Sequence, residues 1–192
     1  MTTPSWRHAG AAMLALLAGS ASAHTGHDTL GFLAGLAHPF GIDHLLAMVA
    51  VGLWSARALP AARCWLGPLV FLAAMALGAV TAAGAMVPGV DTAVAASVLL
   101  MGVMLAFARR LPVGPGVGLI AAAAVLHGLA HGSELPAGAG LAPYATGFLL
   151  TTAGLHLGGL ALGLRFAAAR DGAWRLAGSL LAGAGLVMLF PA

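Results

Sequence analysis

Histidine and carboxylate side chains recur within long apolar segments of this sequence. Ionisable groups are costly inside a bilayer, and those found there usually belong to an ion pathway or a proton relay. Imidazoles and carboxylates are ligands for borderline divalent ions such as Ni²⁺, Co²⁺ and Zn²⁺, whereas thiolates and thioethers favour copper(I). The residue types therefore indicate divalent-metal binding, with these candidate ligands: His38, Asp43, His44, His127, His131, Glu134 and His156.

The stretch LHGLAHGSE predicts a site on one helical face. His127 and His131 are four residues apart and Glu134 follows three residues later, so the three side chains lie along one face of a helix. Gly128 and Gly132 leave room beside this face for another helix or for a hydrated ion.

The stretch HPFGIDH requires a distorted helix if its polar groups are to meet. His38 and His44 are six residues apart, and on an unbroken helix they would point to faces about 120° apart. Pro39 and Gly41 lie between them, and proline removes a helical hydrogen bond and clashes with the preceding turn. We therefore expect a kink that turns His38, Asp43 and His44 toward one point, as in the broken helices of ion transporters.

Simpler interpretations stay open for some of these residues. His156 could bond a neighbouring carbonyl group without binding metal, and Glu134 could be a solvated loop acid. His24 and His27, in the segment HTGHD that precedes the first long apolar run, could capture metal ions or could have no metal-binding role.

The composition is that of an integral membrane protein. Of 192 residues, 61% are hydrophobic and 7% are charged, whereas a soluble domain has about 25% charged residues. All basic residues are arginines, and they form no basic face that would suit nucleic acid. Cys64 is the single cysteine, so neither an internal disulfide nor a site with several cysteine ligands can form.

The first 23 residues have the pattern of a secretory signal. Arg7 and His8 precede an apolar run over residues 9–18, which is too short to cross the hydrocarbon core. The small residues GSASA then end at Ala23, as expected for signal-peptidase cleavage. We predict cleavage after Ala23, which leaves residues 24–192 as a single membrane domain.

Six transmembrane helices are predicted in the mature chain. Apolar runs of roughly spanning length alternate with short segments that carry the proline, glycine and charge typical of helix ends. The expected fold is an all-α helical bundle whose first span is kinked at Pro39 and Gly41. The predicted spans cover residues 30–56, 65–87, 92–108, 113–132, 141–164 and 174–190.

The arginines predict the orientation of the bundle. Cytoplasmic loops retain arginine and translocated loops do not, and the loops after the first, third and fifth spans hold every arginine of the mature chain. The two opposite loops carry Asp91 and Glu134 instead. Both mature termini are therefore expected outside, and the cytoplasmic arginines are Arg57, Arg63, Arg109, Arg110, Arg165, Arg170 and Arg175.

Glycine spacing predicts close helix contacts. Glycines four residues apart let transmembrane backbones approach, and such contacts serve a monomer or a homo-oligomer equally. The methionines of the spans are interpreted as packing residues, and Trp54, Trp65 and Trp174 as an aromatic belt on the cytoplasmic side. The glycine pairs are Gly31 and Gly35, Gly128 and Gly132, Gly154 and Gly158, and Gly159 and Gly163.

Three stretches carry a family resemblance: HPFGIDHLLAMVAVGLWSA, LHGLAHGSELP and YATGFLLTTAGLHLGG. With a signal and a histidine-bearing mature start, they make nearly the whole chain resemble the HupE/UreJ family of bacterial membrane proteins, implicated in nickel or cobalt uptake. HPFGIDH also looks like the H-x4-D-H signature of the wider nickel and cobalt permeases. The resemblance implies that His38, Asp43 and His44 are needed for metal passage and that the protein lies in the inner membrane.

The expected function is import of Ni²⁺ or Co²⁺, ahead of Zn²⁺, by a secondary transporter or channel-like permease. The metal is then a transported substrate and no permanent cofactor is expected. No nucleotide-binding motif occurs, so the chain is not itself an ATPase. The expected path runs from His24 and His27 to His127, His131 and Glu134, and then to His38, Asp43, His44 and His156.

Two other functions fit the same histidines. An intramembrane metalloenzyme would hold a catalytic ion, but the sequence offers no clear serine or cysteine nucleophile, and no enzyme is predicted. A proton- or ammonia-conducting protein would use the histidines as a relay without metal. The expected partners are the lipid bilayer and a divalent metal ion, with a periplasmic or cytosolic metal-handling protein left open.

Overall fold

The computed structural model describes residues 27–190, with side chains from residue 29 onward. Over that range the chain is helical and contains no β-strand, which confirms the all-α class. The predicted signal peptide, residues 1–23, lies outside the described residues and stays a prediction. The described α-helices are α1 His27–Ala37, α2 Ile42–Ala58, α3 Leu66–Thr81, α4 Val90–Ala106, α5 Val113–Ser133, α6 Leu141–Arg165 and α7 Asp171–Leu189.

The first predicted span is broken in two. Helix α1 is followed by a 3-10 turn over His38–Phe40, and α2 then leaves at an angle of 72° to the first part. Pro39 is the second residue of this turn and lacks the N–H group that a continuing helix would need. Gly41, with φ −50° and ψ 136°, has left the helical conformation. The predicted kink at Pro39 and Gly41 is confirmed, and it is a full interruption of the helix.

The apolar helices fit a multi-pass membrane protein. The two halves of the broken helix together make one candidate span, and four further segments are long and apolar enough to cross a bilayer. Helix α4 has 17 residues, at the lower end of the range of about 17–25 residues for a span. Six spans therefore stay a prediction, and the four single-helix candidates are Ala61–Thr81, Val113–Ser133, Leu141–Arg165 and Asp171–Leu189.

The second apolar helix is shorter than the predicted span. It was expected to reach residue 87, but α3 ends at Thr81. In the loop that follows, Gly84 and Gly89 have φ values of 72° and 76°, a region that favours glycine. Met86, assigned to this span as a packing residue, lies in the loop and is 91% exposed. Four of the other span methionines are buried as predicted: Met48, Met75, Met101 and Met104.

Helix α6 holds the broken helix in place. The most extensive helix contacts are α3 with α5, α4 with α7, and α6 with both α1 and α2. Because α6 packs against the two halves on either side of the break, it fixes their relative position. The centre of the bundle is closed by fully buried side chains, among them Trp54, Phe71, Ile120 and Phe148. The predicted aromatic belt is therefore wrong for Trp54, and also for Trp174, which is 6% exposed, whereas Trp65 is 53% exposed.

The arginines and two of the acids lie at opposite ends of the bundle, with Asp171 at the arginine end. The guanidinium of Arg57, at the end of α2, pairs with Asp171 at the start of α7, and Arg109 lies 3.6 Å from the same carboxylate. At the other end, Asp91 and Glu134 line one cavity. This separation matches the distribution of arginines predicted along the chain. Which end faces the cytoplasm stays a prediction.

Glycines allow close approach at several helix crossings, although one predicted pair makes no contact within the described chain. A methyl group added at Gly128 would lie 2.1 Å from the carbonyl oxygen of Met75 on α3. Gly154 and Gly158 have open space where a side chain would stand, so this pair makes no helix contact within the described chain. The other predicted glycines with backbone atoms closer than 2.5 Å to an added methyl group are Gly35, Gly132 and Gly159.

Gly128→Ala is expected to lower the thermal unfolding midpoint of the purified protein, because the new methyl group would force α3 and α5 apart. Overpacking of this kind costs about 1–3 kcal/mol. Gly154→Ala is the matched control, since its methyl group meets open space and alanine favours helix more than glycine does. Equal unfolding midpoints for the two variants in the same detergent would contradict the α3–α5 crossing.

Candidate metal-binding site

The break between α1 and α2 brings two histidines together. The N–H group of Gly41 donates to the carbonyl of His38 at 3.1 Å, and the carbonyl of Gly41 accepts from Leu45 as α2 begins. The imidazole centres of His38 and His44 are 5.0 Å apart, although on a straight helix the two side chains would diverge. The expected convergence of these histidines is confirmed.

His131 of α5 completes a three-histidine group. Its ring centre is 4.5 Å from that of His38 and 4.8 Å from that of His44. One nitrogen from each of the three rings can be chosen so that all lie within 4.8 Å of one another. Since metal–nitrogen bonds of about 2 Å place the ligands of one ion up to about 4 Å apart, small side-chain movements would let all three bind one ion.

Asp43 orients His44. Its Oδ1 atom accepts hydrogen bonds from the backbone N–H of His44 at 2.8 Å and from Nδ1 of the imidazole at 2.9 Å. With Nδ1 as the donor, a neutral imidazole keeps its lone pair on Nε2, which is buried and has no partner in the described part of the chain. A carboxylate in this position fixes a metal-binding histidine and raises its basicity. Direct ligation by Asp43 stays a prediction.

Two further histidines are oriented by backbone carbonyls. Nδ1 of His127 donates to Ala123 at 2.9 Å, and Nδ1 of His156 donates to Met48 at 2.7 Å. Their Nε2 atoms are buried and lack a partner among residues 27–190. His127 adjoins the three-histidine group, because its ring centre is 5.1 Å from that of His44. We call these four rings, His38, His44, His127 and His131, the histidine cluster.

His156 lies apart from the histidine cluster. The ring of Phe71 contacts both histidines, with its centre 4.9 Å from His156 and 5.4 Å from His127. The sequence left open that His156 only bonds a neighbouring carbonyl. Its Nδ1 atom does so, because it donates to the carbonyl of Met48. Its Nε2 atom is still free to bind.

Glu134 forms an acidic mouth beside the cluster. Its Oε2 atom lies 3.0 Å from Nε2 of His38, and its side chain is 42% exposed just beyond the end of α5. The hydrogen bond from His38 lowers the pKa of the Glu134 carboxyl below its ordinary value, so the group is ionised at neutral pH. With Asp91 it lines a cavity of about 300 Å³. Glu134 is therefore more than a solvated loop acid.

A row of residues on α6 was missed by the sequence interpretation. Tyr144, Phe148, Thr152 and His156 follow at intervals of four and are at most 1% exposed. The ring of Phe148 stacks on His131, with centres 4.3 Å apart and planes 11° apart. The signal was present in YATGFLLTTAGLH, because a four-residue interval marks one helical face. Only the histidine of that face was recognised.

The two amino-terminal histidines do not join the described site. His24 lies outside the described residues. His27 is the first residue of α1, and its side chain is outside the described part as well. Their predicted role in metal capture stays a prediction.

The fold and the site together define a class of protein: a multi-pass helical membrane protein with a buried histidine cluster behind an acidic mouth. The chain belongs to the HupE/UreJ family. The sequence model of the family described as HupE / UreJ protein matches residues 12–188. This confirms the resemblance, which the sequence predicted over nearly the whole chain.

The chain is also similar to a curated relative, Protein HupE from Rhizobium leguminosarum bv. viciae, with 41% identity over 172 residues. The alignment covers 88% of this chain and 90% of that protein. No solved structure matches the chain. The family consists of transport and accessory proteins associated with nickel and cobalt uptake and is not an enzyme family, so the metalloenzyme alternative is set aside.

Proposed function

We propose that the protein is a permease that imports Ni²⁺ or Co²⁺ through the histidine cluster. The observation that carries the proposal is the convergence of His38, His44 and His131, whose potential ligand atoms lie within 4.8 Å of one another. A donor set dominated by imidazole suits borderline ions better than Mg²⁺ or Ca²⁺. The association of the family with nickel and cobalt uptake narrows the class of cargo.

The acidic mouth captures the ion. Glu134 and Asp91 line one open cavity, and Glu134 touches His38 at the edge of the histidine cluster. Two carboxylates raise the local concentration of a divalent cation by electrostatic attraction. The ion then exchanges its water for imidazole nitrogens as it leaves the mouth.

The histidine cluster passes the ion inward by ligand exchange. Neighbouring ring centres are 4.5–5.1 Å apart, so an ion can gain the next ligand before it loses the previous one. Several weak sites in a row conduct better than one tight site, because an ion that is bound too firmly cannot leave. Unlike the expected path, this order begins at His38, which contacts Glu134, and reaches His127 through His44. His156, which shares Phe71 as a neighbour with His127, follows.

In the described conformation, the bundle is closed between His156 and the end that carries the arginines. Gly52 packs directly against the His156 backbone, and the buried residues nearer the arginine end include Trp54, Ser55 and Ile120. These side chains fill the bundle and leave no row of metal ligands. Release to the arginine side therefore requires a rearrangement of this packing, as in alternating access by transporters with broken helices.

Uptake into proteoliposomes tests the proposal. Purified protein reconstituted into vesicles should take up radioactive nickel or cobalt faster than protein-free vesicles, and zinc more slowly than either. A proton- or ammonia-conducting protein would instead change the internal pH without moving metal. Conductance of that kind together with absent metal uptake would refute the permease.

Glu134→Gln is expected to raise the KM for nickel by about tenfold while leaving the maximal rate within about twofold. A unit charge about 4 Å from a divalent ion contributes about 2 kcal/mol in water before screening, and salt reduces this value. The capture step loses this attraction, whereas ligand exchange within the histidine cluster does not need it. The measurement is the initial uptake rate as a function of nickel concentration.

Glu134→Asp is the matched control for this variant, because it keeps the charge and shortens the side chain. Its KM should lie nearer to that of the intact protein than to that of Glu134→Gln. The increase in KM caused by Glu134→Gln should also shrink at high ionic strength. An unchanged KM in Glu134→Gln, or an increase that salt does not alter, would remove Glu134 from the capture step.

A further inference from the structure

A pocket rich in arginine lies at the end of the bundle opposite the acidic mouth. It is formed by the end of α2, the connection between α4 and α5, and the start of α7. Among the described residues that line it, four are arginines and one is an acid. These charged residues are Arg57, Arg109, Arg110, Arg175 and Asp171.

Arg57 is a fixed part of this pocket. Its side chain is only 5% exposed, pairs with Asp171, and donates to the carbonyl of Ala167 at 3.3 Å. Its guanidinium also lies 5.2 Å from the ring centre of Trp174, a cation–π contact. A buried arginine held by three partners is a rigid wall of the pocket and not a mobile surface residue.

The positive charge of the pocket exceeds its negative charge. The carboxylate of Asp171 pairs with Arg57 and also lies 3.6 Å from the guanidinium of Arg109. Arg110 and Arg175 are exposed and have no carboxylate within ion-pair distance in the described part of the chain. Guanidinium groups bind phosphate through paired N–H donors, and these arginines line one pocket.

Trp174 supplies a polar group that lacks a partner. The residue is 6% exposed, and its indole N–H has no hydrogen-bond acceptor within residues 27–190. A buried donor without an acceptor is unfavourable. Trp174 lines the arginine pocket, and an oxygen-rich ligand there could accept this N–H.

An apolar groove continues from the arginine pocket along the surface of the bundle. Two adjoining cavities of about 240 Å³ and 300 Å³ share Leu53 and Ala177 as lining residues. The first also shares Trp174 with the arginine pocket, and the second shares Leu105 with it. The groove therefore runs beside α2 and α7 from a cationic end into the apolar belt.

We propose that the arginine pocket and this groove bind one anionic phospholipid. The phosphate lies among Arg109, Arg110 and Arg175, and an acyl chain follows the groove past Ala177. Basic pockets between transmembrane helices are typical sites for anionic headgroups. The predicted orientation, with the arginines in the cytoplasm, places the pocket at the level of the anionic lipids of the inner leaflet.

A second copy of the chain fits the groove less well. A parallel neighbour in the same membrane would present its own arginines at the same level, and like charges repel. A phospholipid offers a negative group and an apolar chain in the order that the pocket and the groove require. Charge complementarity thus favours the lipid.

Lipid binding by the delipidated full-length protein in a neutral detergent tests the proposal. Native mass spectrometry should detect one bound phosphatidylglycerol, with at least tenfold tighter binding than phosphatidylcholine of the same chains. The double variant Arg109→Gln/Arg110→Gln should bind phosphatidylglycerol at least tenfold more weakly. Each arginine near an anionic headgroup strengthens binding by about fivefold, and this variant removes two of them. Arg165→Gln, an exposed arginine outside the pocket, should bind like the intact protein.

A second pair of variants tests the groove. Ala177→Phe fills it and should weaken phosphatidylglycerol binding, whereas Ser179→Phe, also exposed but outside the lining, should not. Glycerol 3-phosphate should bind far more weakly than the lipid. Three results would overturn the proposal: equal binding of both lipids, unchanged affinity of the double arginine variant, or binding of glycerol 3-phosphate as tight as that of phosphatidylglycerol. A detergent-stable dimer that Ala177→Phe dissociates would assign the groove to a second copy.

Discussion

His44→Asn is expected to reduce nickel uptake to the rate of protein-free vesicles. The ring of His44 is the link within the histidine cluster, because its centre lies 5.0 Å from His38, 4.8 Å from His131 and 5.1 Å from His127. Without it, an ion bound by His38 and His131 loses the ring that lies next to both of them and to His127. We expect a loss of about a hundredfold or more, since altering even the partner of a ligand costs about 10–100-fold.

Two control variants make this result specific. Ser97→Ala removes another buried polar side chain, whose hydroxyl bonds the carbonyl of Val94 in its own helix, and should leave uptake unchanged. Asp43→Asn keeps His44 but weakens the group that orients it, and should cost about 10–100-fold. From fastest to slowest, the expected order of nickel uptake rates is Ser97→Ala, then Asp43→Asn, then His44→Asn. A folded His44→Asn protein with half the uptake of the intact protein would exclude the histidine cluster from the path.

Local physical effects made the centre of the site predictable. Proline and glycine interrupt a helix whatever surrounds it, so the break at Pro39 and Gly41 could be expected from the sequence alone. The common face of His127 and His131 followed from helical periodicity in the same way. The convergence of these two elements was expected because polar groups in a bilayer face one another.

Partners between helices could not be assigned from the sequence. His38 bonds Glu134, almost one hundred positions along the chain, and it does not pair with Asp43. His156 shares a helical face with Phe148, but the ring that it contacts is Phe71 of α3, which is not a member of the histidine cluster. Spacing fixes the face on which a residue lies and leaves open what packs against that face.

The glycine pairs show the same limit. Gly128 and Gly154 each begin a pair with four-residue spacing, yet only the first meets a neighbouring helix. The spacing of small residues permits close approach, while the arrangement of the helices decides where it occurs. Gly154 and Gly158 make no such contact within the described chain, because their face of α6 points away from its other helices, and a contact with a second copy stays a prediction.

His131→Leu is expected to abolish uptake and, at the same time, to stabilise the metal-free protein. His131 is fully buried, and neither of its ring nitrogens has a hydrogen-bond partner among the described residues. A buried polar group without a partner costs about 1–3 kcal/mol. Leucine has a similar volume and no polar atom, so the unfolding midpoint should rise. If His131 served only to stabilise the fold, His131→Leu would lower the unfolding midpoint.

His156→Leu separates this effect from a general response to leucine. His156 is equally buried and its Nε2 also lacks a partner among the described residues, but its Nδ1 atom donates to the carbonyl of Met48 at 2.7 Å. Its replacement also breaks a bond worth about 1 kcal/mol, so the unfolding midpoint of His156→Leu should lie below that of His131→Leu. Nickel should raise the midpoint of the intact protein, because a ligand that binds only the folded state stabilises it, and should leave that of His131→Leu unchanged. If the unfolding midpoint of His131→Leu does not exceed that of His156→Leu, or if nickel stabilises His131→Leu as fully as the intact protein, then His131 is a packing residue and not a metal ligand.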